Sequence, residues 1–400
     1  MVVFNPFVPS YKINPHLQYT RLRAAEPVHH SIAMQAWIIT RYEDCITVLR
    51  DPETFSSNGF NASGQLGDTI REQRATSALG AVQTLLTIDP PAHTRLRGVI
   101  NRAFTPRRVD LLRPRIEAIA EELLDAVTPS GDFELMTSFA QPLPVIVIAE
   151  LLGIPPTDRD RFKQWSNKIA ATTDLLNTEA AIMEAREATL KLIDYFNDFI
   201  QARRDEPRDD LISALVAAQS TEEQLTHEEI LAFAILLLVA GNETTTNLIG
   251  NGTLALLDNP EACEFLRRQP DHLPAAIEEM LRHDSPVQGV VRIAGRDTTL
   301  GTQQIPQGDL LMLMLGAANR DPEQFDEPDR FDVTRQSNRH ISFGFGPHFC
   351  LGAPLARLEA EVAFALLLQR FPHLTRGSGD MERGGTLLLR GLTKLPLNLA

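Results

Sequence analysis

The chain has 400 residues, 43% hydrophobic and 22% charged, enough apolar material to bury a large core. Its net charge of −14 sets it against nucleic acid, whose phosphates need a basic footprint. The three cysteines, Cys45, Cys263 and Cys350, are far apart and odd in number, which excludes a disulfide framework and a cysteine-rich zinc site and fits a reducing, cytoplasmic setting.

The amino-terminal sequence MVVFNPFVPSYK lacks a basic region followed by a long apolar run, so no signal peptide is read there. Residues 1–60 mix short β-like runs, such as 36–40, with Pro and Gly, and residues 53–80 read as a long mobile loop rich in Gly, Ser, Asn and Thr. Helical periodicity then predicts helices at 91–102, 109–126, 143–152, 158–171, 178–204 and 211–218. The clearest helix begins at Thr226, which forms a capping box with Glu229, and runs until Asn259-Pro260 stops it. At 1.5 Å per residue it spans roughly 48 Å, enough to cross a domain. Its longest apolar run, 230–241, falls short of the ~20 residues a bilayer needs, so no membrane anchor is expected. Helices at 261–268 and 272–283, β-like sequence at 287–315, a coil at 319–348, a helix at 351–370 and a strand-like tail complete the chain. There is no internal repeat. The expected architecture is mainly α with a small β-rich region.

Just before the last helix stands Phe343-Gly344-Phe345-Gly346-Pro347-His348-Phe349-Cys350-Leu351-Gly352. The glycines let the backbone come close to something flat, and Gly352 leaves room past the cysteine. At a helix amino end, unpaired N–H groups and the helix dipole favour a thiolate, which is a strong ligand for haem iron. A buried inert cysteine after a turn is the alternative for an isolated Gly-x-Gly-x-x-x-Cys.

Inside the long helix, Ala240-Gly241-Asn242-Glu243-Thr244-Thr245 breaks several local rules at once. Gly241 costs about 1 kcal/mol relative to alanine. Glu243 ends an apolar run where an ionised carboxylate is expensive, and Thr244 can bond back to the carbonyl of Ala240 and bend the helix. Such a concentration of conflicts points to function; a core helix whose Glu243 faces water is the bland reading.

The ten positions around Cys350 together resemble the haem-binding signature of the cytochrome P450 family, Phe-Gly-x-Gly-x-His-x-Cys-x-Gly. Further stretches resemble that family in order along essentially the whole chain. These are Asp89-Pro-Pro-Ala-His93-Thr-Arg-Leu-Arg97, Ala240 to Thr245, Glu279-Met-Leu-Arg282, Ala318 to Pro322, and Pro328-Asp-Arg330-Phe331. The resemblance implies one mainly α domain over residues 1–400, with haem b between the long helix and the cysteine loop. It implies that Cys350 is the iron ligand, with Phe343 and Gly352 lining its loop. His93, Arg97, Arg292 and His348 would hold the haem propionates, and Gly241 would open a groove for O₂ in which Thr244 and Glu243 manage protons. Glu279, Arg282 and Arg330 would form a buried structural triad, and Leu85, Leu86, Leu236, Ala240, Val290 and Leu389 would line a substrate pocket.

The implied activity is a monooxygenase that hydroxylates or epoxidises an apolar small molecule. The 30 residues after the last helix leave no space for a fused reductase, so a separate ferredoxin and an NAD(P)H-dependent reductase are expected. Seven arginines between 95 and 115, against the single acid Asp110, would present a basic patch to an acidic ferredoxin, unless they are simply solvated. A peroxide-driven haem enzyme and a non-catalytic gas-binding haem protein are the rival readings. The first would have no need of Glu243 and Thr244, and the second no need of a substrate pocket.

Overall fold

The computed structural model describes residues 3–64, 67–68, 71–72, 84–127, 132–170, 178–218 and 225–399. The expected loop at 53–80 lies partly outside these residues; its described part contains a short strand, Phe55–Ser56, and a turn, Gly59–Asn61, capped by the Asn58 side chain. Helix dominates. The long helix spans His227–Asp258, opened by the Thr226–Glu229 capping box and closed at Asn259, after which Pro260 starts the next helix. By length and composition it could cross a bilayer, yet most of its central window is buried against other helices.

The main apolar core forms around this helix, with contributions from Arg113–Asp125, Pro142–Leu152, Glu179–Asp205 and Ala353–Arg370. The β region is a five-stranded sheet in the order Val28–Ser31, Ala36–Ile39, Leu310–Leu313, Val290–Ala294, Phe55–Ser56. Strands 36–39 and 310–313 run parallel, although 271 residues separate Ile39 from Leu310, so this sheet joins the two ends of the chain. A hairpin, Glu382–Gly385 with Arg390–Lys394, packs against the long helix near the carboxyl end.

Two helices depart from their expected bounds. The stretch expected as one helix at 109–126 is two, Pro106–Asp110 and Arg113–Asp125, because Pro114 suits a first helical turn and lacks the N–H an interior position needs. The last helix begins at Ala353, with Gly352 as its cap and Pro354 in its first turn, so Cys350 sits in the loop ahead of it.

Candidate active site

The cysteine loop is shaped by two left-handed glycines, Gly344 at φ 72° and Gly346 at φ 71°. They fold the loop back so that the Cys350 N–H donates to the Phe343 carbonyl at 2.9 Å. A Cβ on Gly346 would stand 2.4 Å from the Leu49 carbonyl oxygen, so only glycine fits. On Gly352 a Cβ would lie 3.9 Å from the Cys350 sulfur, an ordinary contact distance. The Gly352 and Ala353 N–H groups point at that sulfur, and Arg97 and Arg357 add positive potential. Burial nevertheless outweighs them and pushes the thiol up. The expected N–H groups are in place, although the helix itself starts three residues later, and in the metal-free protein burial is the larger influence on the thiol.

Beside this loop lies a cluster of nitrogen bases. His93 is buried on the Ala92–Ala103 helix with Nε2 lacking any partner, and its ring packs at a tilt against His348, 4.1 Å between centroids. Burial, with Arg97 nearby, lowers His93; burial with Arg292 and His93 takes His348 down to about 3. Both rings are therefore neutral at physiological pH, and Arg97 and Arg292 carry the positive charge. Arg292 is buried and donates to the backbone carbonyl of Val291; burial brings its guanidinium down to about 10. Arg97 donates to Asn101. Neither forms an ion pair with an acid among the described residues. Two cations held this way suit an anionic guest with two carboxylates. His348 has other attachments: its Nε2 lies 3.0 Å from the Ser57 hydroxyl, and it donates to the Leu85 carbonyl. Asp89 joins the group by accepting from the Ser57 N–H at 2.8 Å and, through its own carbonyl, from the His93 N–H.

On the long helix, Thr244 donates its hydroxyl to the Ala240 carbonyl at 2.8 Å. Glu243 has a buried carboxylate oxygen with no partner, and burial raises the acid to about 7. Ala240 is exposed midway along a helix whose preceding turns are mostly buried. Gly241, expected to open a groove for O₂, has its bare face against the neighbouring helix. Its missing side chain points at Ile148, whose Cδ1 would be 2.4 Å from a Cβ, so the glycine allows the Pro142–Leu152 helix to pack closely.

The buried triad exists with a different third member. Arg282 grips Glu279 through two bonds of 2.7 and 2.8 Å, both side chains fully buried, and Arg335 completes it at 3.1 Å. Arg330 is exposed and pairs with Glu327 and Asp332. Only its backbone carbonyl enters the site, accepting from Arg282 as do those of Asn319 and Pro328. A second clasp, unanticipated from sequence, joins Glu278 to Arg357 at 2.7 Å and to His340 at 3.1 Å; these partners overcome burial and bring Glu278 down to about 2.

The six expected pocket residues do not share one cluster. Leu85 and Leu236 belong to the main core, Val290 packs on the sheet's core, Leu86 and Ala240 are exposed, and Leu389 bridges Val287 across a short β contact. The arginine-rich stretch also carries less free charge than its composition implies. Arg95, Arg113 and Arg115 pair with Glu229, Glu361 and Glu150, which leaves Arg107 and Arg108 exposed at its centre.

A helical fold with a cysteine in a glycine loop facing unpaired arginines defines a class of cysteine-ligated haem enzyme, and comparison with known proteins agrees. A family model described as Cytochrome P450 matches residues 46–390. Cytochrome P450 107B1 of Saccharopolyspora erythraea is 43% identical over 391 residues, covering 96% of this chain and 94% of that protein. The 6-deoxyerythronolide B hydroxylase of the same organism is 39% identical, covering 98% and 97%. The solved structure of PksS, a bacillaene polyketide synthase cytochrome P450 of Bacillus subtilis, superposes with a TM-score of 0.90 at 40% identity, over 100% of both chains. The chain belongs to the cytochrome P450 family of monooxygenases, which bind haem b through a cysteine thiolate.

Proposed function

We propose that this chain, as one cytoplasmic domain, holds haem b on Cys350 and uses O₂ to hydroxylate or epoxidise an apolar small molecule. Electrons come one at a time from a ferredoxin-type carrier served by an NAD(P)H-dependent reductase. The observation that carries the reading is the placement near Cys350 of two cations, Arg97 and Arg292, neither in an ion pair with an acid among the described residues. That donor set fits a flat dianionic cofactor with one open metal position. The names of PksS, a polyketide biosynthesis enzyme, and of 6-deoxyerythronolide B hydroxylase support a bulky, largely apolar substrate.

Haem b, when bound, supplies the activation of O₂. The chain supplies a ligand, anion partners and protons. Cys350 would hold the iron, and the Gly352 and Ala353 N–H groups would stabilise the charge of its thiolate. Arg97 and Arg292 bind carboxylates, with His93 Nε2 available as a further partner. Glu243, raised to about 7, holds a proton near neutral pH and passes it to Thr244 Oγ1, which turns from the Ala240 carbonyl to accept it. Arg107 and Arg108, with the exposed Leu111 and Phe349, form the surface that receives the electron carrier.

The test is ligation. Reduced protein with carbon monoxide gives the red-shifted Soret band of a thiolate complex; Cys350→Ser loses it, and Cys45→Ser and Cys263→Ser keep it. Persistence of the band in Cys350→Ser refutes the assignment.

A further inference from the structure

Glu278 and Glu279 are neighbours on the helix Leu273–His283, and a rotation of about 100° per residue sends them to different partners. Glu279 is absorbed by the buried triad. Glu278 turns to the last helix, Ala353–Arg370, and meets Arg357. That arginine lies in the second turn of the helix, seven residues beyond Cys350.

The contact is a fork. Arg357 Nε and Nη2 donate to the two carboxylate oxygens of Glu278 at 2.7 Å each, so both groups are fixed in direction as well as distance. His340 supports the carboxylate from a third segment. Its Nδ1 accepts from the Ser342 N–H at 3.2 Å, so Nε2 carries the proton donated to Glu278 at 3.1 Å, and the ring brings a donor without a charge. The His340 side chain is buried, while those of Glu278 and Arg357 keep 26% and 38% of their surface exposed. An ion pair exposed to that extent adds little to stability, so stability alone is a weak reason for assembling one from three segments.

The arginine also touches the cysteine loop. Its guanidinium carbon stands 4.6 Å from the centre of the Phe343 ring, and the Phe343 carbonyl accepts the Cys350 N–H. Its positive charge is felt at the Cys350 sulfur, as is that of Arg97. The two cations differ in one respect. Arg97 forms no ion pair with an acid among the described residues, whereas Arg357 carries its own counter-charge in Glu278. A positive group beside the sulfur favours the more negatively charged state of the iron centre, which is the reduced one. The Glu278 carboxylate offsets that preference and leaves the guanidinium in place.

We propose that Glu278 is a positioning residue that sets the haem's reduction potential: it holds Arg357 against the cysteine loop and offsets the positive charge beside the Cys350 sulfur. The proposal rests on the haem-thiolate reading above. It gives Glu278 no contact with substrate or haem, and its whole effect passes through Arg357.

The experiment is a spectroelectrochemical titration of the haem-loaded full chain at low salt, with the band of the reduced carbon monoxide complex as the check on thiolate ligation. Glu278→Gln keeps an oxygen for Arg357 and loses the charge. At a fixed applied potential it should raise the ratio of reduced to oxidised haem about three-fold or more, a positive shift of about 28 mV. Arg357→Gln should lower that ratio about three-fold or more. The double variant should fall between the two, within about two-fold of the wild type. Arg357→Lys, which keeps the charge, should also stay within about two-fold. Shifts of the same sign in the two glutamine variants, or shifts below about two-fold in both, overturn the proposal and leave the clasp a packing device. A shift in Arg357→Lys as large as that in Arg357→Gln overturns it as well, and this comparison remains decisive if Glu278→Gln folds poorly. A wild-type chain that gives no thiolate band overturns the haem reading instead, so the two failures are separable.

Discussion

Glu243 and Thr244 are chain neighbours with opposite hydrogen-bonding states. The threonine hydroxyl is satisfied by the carbonyl one turn back, and the glutamate keeps a buried oxygen with no partner and an acidity near neutral. A group in that state can take and release protons under working conditions. Thr244→Ala should still bind haem and an apolar azole, and should release several-fold more hydrogen peroxide per NAD(P)H consumed. Glu243→Gln should lower turnover about 10²-fold and remove an inflection near pH 7 from its pH profile. Wild-type rate and coupling in both variants would dismiss the relay. These two residues were legible in sequence because their conflict with helix rules is local. The role of Gly241 was not: which neighbour its bare face meets depends on the phase of the Pro142–Leu152 helix, and Ile148 occupies it. Ser57 was equally hidden, while Asp89 opened a family-like stretch but carried no assigned role. The Ser57 side chain reaches across 291 residues to His348, and nothing near residue 57 announces that contact.

The helix Leu273–His283 and the coil after it show how an element can be half readable. The Glu279–Arg282 pair falls out of one-turn spacing, but the third member is decided by the path of the coil after Pro328. Arg330 lies on the outside of that path, and Arg335 comes back to Glu279. Arg335→Ala should therefore lower stability by about 2 kcal/mol, since a fully buried carboxylate loses one of its two cationic partners and keeps the other. Arg330→Ala should stay within about 0.5 kcal/mol, as an exposed pair allows. Thermal unfolding with haem absorbance as the probe decides between them; equal losses would return Arg330 to the triad. The split of the expected 109–126 helix is a different kind of miss. Its signal, Pro114, was present in the sequence and marks a helix start.

At the scale of the molecule, three buried groups away from the cysteine set how stability follows pH. His16 is fully buried with both ring nitrogens lacking partners, and burial together with Arg320, Arg390, His283 and Arg23 lowers it far below its ordinary value. Burial and Arg320 take His283 down to about 3, while the Asp284 carboxylate works in the opposite direction. The unfolded chain protonates both histidines below about pH 6.5, and the fold does not, so stability falls as the pH drops through that range. Glu359 works the other way: burial raises it to about 8, so the fold keeps a proton that the unfolded chain has already lost above about pH 4.5. Its contribution falls as the pH rises, by up to about 1.4 kcal/mol per unit, until about pH 8. Two rising slopes against one falling slope give a maximum near pH 6.5. The melting temperature of the haem-loaded protein should peak there, and Glu359→Gln should flatten the alkaline side and steepen the acid side between about pH 4.5 and 6.5. A flat profile in the wild type would mean that these groups titrate as they do in water.

The attachment of Arg282 to three backbone carbonyls, with Arg335 reaching Glu279 from 56 residues away, bears on the order of assembly. Closing a loop of that length costs on the order of 3–4 kcal/mol. The bonds just named, which offset this cost, are made by protein to protein. The coil that delivers the cysteine loop therefore has polypeptide contacts of its own that hold it as a berth. Loss of haem should leave that berth standing, which makes the chain a candidate for exchange with other metalloporphyrins without passage through the unfolded state.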